Sequence, residues 1–209
     1  MSISENPMTG EMRRSMANFV TTVYRGQNII KKKIFMPRNV NSAAQQLQRA
    51  SFKLIVKAYD SFGGITDEGF PGRPRTFSPY NSFVQANLNS AIDNTGGTPV
   101  IDYSKLLVSD GSLPDIVINS GIIGAAGITI TYESDLDTPK VDATDQIVAF
   151  AKTKRGSMLI ARQARGNDAI STILIPYPGL AATDVVCCYA YVLNEDGTKV
   201  SKSVFVQVS

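Results

Sequence analysis

Histidine and tryptophan are absent from this 209-residue chain, and cysteine occurs only twice. Without histidine there is no Ser–His or Cys–His nucleophile pair and no imidazole to ligate a metal. Carboxylate pairs and lysine bases stay open to such a chain. The commonest acid or base is missing, however, and the expectation is a protein that is not an enzyme. Without tryptophan, the Cys–Trp–Cys pattern of antibody-type domains is ruled out. Cys187 and Cys188 are neighbours. On a strand they point to opposite faces, and a bond between them would strain the backbone. They read as reduced thiols, at least one buried, which fits a reducing compartment. Two thiols also fall short of the four N or S ligands of a structural zinc site. No stretch approaches the roughly 18 consecutive apolar residues of a membrane span. The opening residues, Met1-Ser2-Ile3-Ser4-Glu5-Asn6-Pro7, lack the apolar run of a signal peptide. The chain is expected to stay in the compartment where it is made, or to leave it without the general secretory route, with no membrane partner and no cofactor.

What the chain does have is an uneven charge. Residues 1–57 hold ten of the 21 Lys and Arg against two acids, Glu5 and Glu11, while the remaining 152 residues hold 11 basic and 16 acidic side chains. The first stretch is therefore +8 and the rest −5. Unlike ends attract between copies and like ends repel, which favours head-to-tail contact that closes into rings or runs on as filaments. A basic amphipathic first element on a weakly acidic globule would show the same split without assembling. An apolar fraction of 43% is enough for a real core.

Along the chain, residues 18–36 set two β-rich runs on either side of Arg25-Gly26-Gln27-Asn28, predicting a basic hairpin or arm. Lys31, Lys32 and Lys33 on an edge strand would also discourage uncontrolled pairing. After Pro37, Ser42 and Gln45 have the spacing of a capping box. Ala43, Leu47, Ala50, Leu54 and Ala58 recur at helical spacing, with Ile55, Tyr59 and Phe62 beside them, and Gly63-Gly64 end a helix at about 42–62. Arg49, Lys53 and Lys57 make one cationic ridge along it, which a solvated face would also show. A Gly- and Pro-rich loop follows at 63–76. Ser78 as N-cap and Pro79 at the first position open a second helix, at about 78–93, with Tyr80, Phe83, Val84, Leu88, Ala91 and Ile92 on its apolar face.

From about residue 100 the period moves toward 2. Strands are expected at 105–109, 115–119, 127–133, 146–152, 158–163, 170–175, 185–193 and 201–208, with turns at 110–111, 119–121, 155–156, 165–168 and 194–197. The fold class is therefore α+β. An N-terminal β-hairpin or arm and two helices, residues 1–98, precede an antiparallel immunoglobulin- or fibronectin-like β-sandwich, residues 99–209, with the fibronectin type favoured by the missing tryptophan.

Few residues suggest chemistry. Glu133, Asp135, Asp137, Asp142 and Asp145 form the densest acidic stretch, but their spacing misses the EF-hand pattern, and a solvated loop explains them. Asp67 and Glu68 are adjacent in a Gly-rich loop, which says nothing of the facing geometry that glycoside hydrolysis needs. The glycines at 63–64 and 121–127 lack the Lys and Ser/Thr of a phosphate-binding loop. The ten early cations, interleaved with Phe19, Tyr24 and Phe35, could track phosphates and stack bases, but the pI near 8.8 falls short of a typical nucleic-acid-binding domain. Self-association uses the same region differently. Phe19, Val23, Ile29, Ile30 and Phe35 would supply apolar contact, and Lys31, Lys32, Lys33, Arg38 and Arg49 would set orientation.

Three segments carry a resemblance: Pro37-Arg38-Asn39-Val40-Asn41-Ser42-Ala43-Ala44-Gln45-Gln46-Leu47-Gln48-Arg49-Ala50-Ser51-Phe52; Pro79-Tyr80-Asn81-Ser82-Phe83 on to Ala86-Asn87; and Lys105-Leu106-Leu107-Val108-Ser109-Asp110-Gly111-Ser112-Leu113. In that order, ahead of a C-terminal sandwich, they resemble an uncharacterised family of proteins of about this length from Bacteroidota genomes, their prophages and phages of gut Bacteroidota. Members of that family often open with a Gly-rich stretch, whereas residues 8–18 here hold only Gly10. The resemblance implies a structural virion protein, like the ring proteins of crAss-like phages, in the tail or its connector. Its expected partners are copies of itself and other tail or connector proteins. Two other readings stand beside it: an Ig-like binding or adhesion module of a Bacteroidota cell or prophage, and a nucleic-acid-binding protein with a basic N-terminal arm.

Overall fold

The computed structural model describes residues 2–4, 14–16, 18–24, 27–35, 41–71, 78–134 and 140–209. The chain divides into two compact units, residues 1–42 and 43–209. The first is an antiparallel sheet of β1 (Ser2–Ser4), β2 (Arg14–Met16), β3 (Phe19–Tyr24) and β4 (Gln27–Lys32), in the order β1-β4-β3-β2. β3 and β4 are the expected hairpin, in register from Phe19 opposite Lys32 to Tyr24 opposite Gln27. Gln27 and Asn28, read as turn residues, already belong to β4. β1 flanks that strand from Asn28 to Ile30, and this pairing stops short of Lys31 and Lys32.

The second unit opens with α1 (Ala43–Phe62), whose buried line Ser51, Ile55, Ala58 and Phe62 is the stripe that periodicity predicts. Gly63 ends it with φ 55°, a left-handed turn that a side chain would strain. The chain then re-enters helix as α2 (Gly64–Glu68), inside the stretch that composition reads as loop, because Ile65 and Thr66 are buried there. α3 (Pro79–Asn87) starts as expected, with the Asn81 N–H donating to Ser78 Oγ at 3.2 Å. It stops at Asn87 rather than near 93. The buried Asn87 side chain donates to the carbonyls of Phe83 and Leu107 at 2.9 and 2.8 Å, and accepts from the Leu107 N–H at 2.7 Å. Ile92 then turns into a small hairpin, β5 (Ile92–Asp93) with β6 (Val100–Ile101).

Seven strands make the sandwich: β7 (Val117–Gly124), β8 (Gly127–Glu133), β9 (Gln146–Thr153), β10 (Met158–Ala164), β11 (Ile170–Pro176), β12 (Val185–Leu193) and β13 (Val204–Phe205). One sheet runs β11-β8-β7, the other β10-β9-β12-β13. In an antibody constant domain the fourth strand joins the first sheet. Here it pairs with the third, the fibronectin-type arrangement. The expected strand at 105–109 is not one. Leu106 and Val108 are buried, but the N–H groups of Val108 and Ser109 donate to Ser203 Oγ at 2.9 and 3.3 Å instead of to a ladder. The turn expected at 119–121 lies within β7, as an irregularity in register at Asn119. Gly121 is required there for another reason: a Cβ would come within 2.6 Å of Val206 Cγ1, because the C-terminal residues run parallel alongside, with Gly121 bridged to Val208.

The β10-β9-β12-β13 sheet is buried on both sides. Inside the sandwich, Ile147, Ala149, Ala151, Cys188, Ala190 and Val192 meet Ile128, Ile130, Tyr132, Ile173 and Ile175. On the outside, Val148, Phe150, Cys187, Tyr189 and Tyr191 meet Ile55, Ala58, Phe62 and Ile65 of α1 and α2, and Phe83 of α3. Phe150 and Tyr189 stack at 5.4 Å between ring centres, and Phe62 stands edge-on to both at 6.1 and 6.3 Å. The second unit is thus three layers, helices, sheet and sheet. The expected division at 98/99 falls inside it, between helices and the sheet they cover.

A fragment beginning at residue 99 would leave Phe150, Tyr189 and Tyr191 facing water. It is expected to bind a hydrophobic dye and to lack a cooperative melt, whereas residues 43–209 should melt in one transition. Phe62→Ala should cost about 3–5 kcal/mol in chemical denaturation of the whole chain. Cooperative melting of the 99–209 fragment near the parent's temperature would show that the helical layer is dispensable.

Candidate assembly surfaces

Side chains alternate along β3 and β4, and this sorts the expected contact residues onto two faces. Phe19, Val23, Ile30 and Lys32 share one face with Thr21 and Asn28, while Ile29 and Lys31 lie on the other with Val20, Thr22 and Tyr24. Among the described residues of this unit, the buried polar ones, Thr21 and Asn28, lie on the first face. The second is the more open one: Thr22, Tyr24, Gln27 and Lys31 are exposed and Val20 and Ile29 half-buried, whereas Phe19 and Lys32 are the exposed side chains among the described residues of the first. Beyond β4, Lys33 places its Nζ 5.4 Å from the centre of the Phe35 ring, a cation–π contact, and Ile34 and Phe35 are 75% and 64% exposed. The expected residues therefore form two surfaces and an exposed tail end, not one patch. Arg38 lies outside the described residues. Arg49 belongs to the second unit, on the exposed side of α1 with Lys53 and Lys57.

In the second unit, several charged and polar side chains fasten the helices to the sheet. Glu68 on α2 takes a two-pronged bond from Arg162 on β10, both contacts at 2.7 Å, and accepts a third from the Tyr191 hydroxyl at 3.3 Å. The hydrogen bonds to Glu68 raise the Arg162 pKa, and burial raises that of Tyr191. Lys152 donates to Ser61 Oγ at 2.6 Å and lies 5.0 Å above the Phe62 ring; burial lowers its pKa. Tyr59 donates to Asp67 at 2.6 Å, and its hydroxyl is pushed up to about 12 by burial first and Asp67 second. Asp67 and Glu68, the adjacent carboxylates of the sequence, thus turn to different partners. Sequence patterns could not show this, because the partners come from α1 and from strands far along the chain.

The described part of the acidic stretch closes on itself. Asp145 is buried, its carboxylate accepts the Asp142 N–H at 3.1 Å, and its backbone carbonyl accepts the Arg165 N–H at 2.7 Å. Among the described residues, no group of three or more His, Cys, Asp or Glu is gathered to hold a metal ion. The two cysteines are free and both buried, Cys187 under the helices and Cys188 inside the sandwich, as alternation on one strand requires. Desolvation pushes both thiols up to about 12.

A disulfide reagent at about pH 8 should titrate neither thiol in the folded protein and both after denaturation. Because the folded thiols titrate above the usual 9.0, their contribution to stability is complete below that pH and is lost as pH rises toward 12. The melting temperature should fall across that window. Rapid labelling of the native protein would contradict both expectations.

A family model described as "Family of unknown function (DUF6266)" matches residues 11–207. No curated protein and no solved structure matches the chain.

Proposed function

We propose that this chain, which belongs to the DUF6266 family, is a structural bacteriophage virion protein that self-assembles, copy to copy, into a ring of the tail or its connector. It is not an enzyme in this reading. The observation that carries it is the division into two compact units of unlike charge. Residues 1–42 hold seven Lys and Arg against two acids, +5, while residues 43–209 hold 14 against 16, −2. A small basic unit with Tyr24 exposed on its sheet, and Ile34 and Phe35 exposed beyond β4, is suited to be offered to a neighbour. Placement in a phage particle is supported by the resemblance of the three segments around residues 37–52, 79–87 and 105–113. Exposed ion pairs contribute only ~0–1 kcal/mol each, so charge alone holds no ring. A large apolar side chain fully buried at a neighbour adds roughly 1.5–3 kcal/mol before ordering costs. The cations set orientation and encounter rate.

Particle size of the purified protein at low and high salt tests the reading. A ring former gives one discrete large species; removing residues 1–42 should leave a folded monomer. Lys31→Glu, Lys32→Glu and Lys33→Glu together should slow assembly more than they loosen the finished ring. If the shortened chain forms the same oligomer as the parent, the basic unit is not the assembly element. A parent that is always a monomer would favour a binding module, and one that retains phosphate polymer a nucleic-acid binder.

A further inference from the structure

The two outer faces of the sandwich differ. One carries the helices; the outside of the β11-β8-β7 sheet is exposed, with Val117, Ile122, Ile170 and Leu174 at 52%, 54%, 60% and 44%. Register sets Ile122, Thr129 and Leu174 in one row, Ser120, Thr131 and Thr172 in the next, and Val117, Glu133 and Ile170 in the row at the end. Of the 22 residues in these strands, Glu133 alone is charged. A solvated antiparallel face ordinarily turns polar side chains outward. This one presents branched, uncharged side chains of the kind that pack on another pleated surface. Its described acids lie at one border: Glu133 ends β8 and Asp168 precedes β11, both exposed.

The same chain carries the complement. The N-terminal unit is itself a sheet, at +5, and its open face shows Tyr24, the half-buried Ile29 and exposed Lys31. We propose that the outside of the β11-β8-β7 sheet receives the basic N-terminal sheet of a second copy, sheet against sheet, an inference that rests on the self-assembly proposed above. Apolar rows supply the contact, and the acidic border attracts the lysines and fixes direction. The contact is heterologous, so each copy gives one surface and receives on another.

Two full-length variants test it by sedimentation. Ile122→Lys with Leu174→Lys charges the receiving face at outward positions, and Tyr24→Glu with Lys31→Glu reverses the arm's open face. Each alone should assemble at least about tenfold more weakly than the parent. Mixed in equal amounts they should form a discrete 1:1 pair, because each lends the surface that the other lacks and the pair cannot extend. If the face variant loses the parent's thermal transition, Thr131→Arg, at the centre of the same face, replaces it. Should either variant assemble like the parent, or the mixture stay monomeric while the parent assembles, this surface is wrong and self-assembly stands. A parent that is monomeric at every concentration overturns both.

Discussion

The second unit depends on a sheet that is buried on both sides. β9 and β12 run through its middle and have no solvent face: Phe150 and Tyr189 point to the helices, Ala149, Ala151, Cys188 and Ala190 to the other sheet. Small residues on the sandwich side let the two sheets approach, and large aromatic ones on the other side fill the space under α1 to α3. The helices have little else to pack on. α1 is amphipathic, but a helix without a partner for its stripe has only propensity to hold it. The helical layer and the sandwich therefore stand or fall together.

This double burial also explains which parts of the fold were readable. Strands β8 to β12 announce themselves by β-branched runs between turn residues, and their ends fall within a residue of expectation. The residues from Val185 to Leu193 are nearly all apolar instead of alternating, the mark of a strand covered twice. That signal was present, and pointed to a third layer that strand counting alone does not reveal. α2 was hidden for the opposite reason. Its glycines and acids resemble a loop, and only burial of Ile65 and the Glu68–Arg162 bond, a long-range contact, make it a helix. In the first unit, the hairpin was legible from its two β-rich runs. Its flanking strands are three residues each, too short to show any period.

The candidate surface was legible only as composition. Charge asymmetry marks the N-terminal region without saying which side chains share a face. Pairing across β3 and β4 decides that, and it separates Ile29 and Lys31 from Phe19, Val23, Ile30 and Lys32. A shift of one residue in that register would have exchanged the two sets. The nearly uncharged outside of the other sheet, with Glu133 at its end, was less visible still, since exposed isoleucines in a sequence look the same as core ones.

The bond between Glu68 and Arg162 has a consequence beyond fastening a helix. β10 is the end strand of its sheet, and an unguarded end strand is a template on which any extended chain can add. A guanidinium in the middle of that strand, held by a carboxylate from α2, makes the edge hostile to an incoming backbone. An extended chain approaching that edge would meet a charged, occupied border in place of a free template.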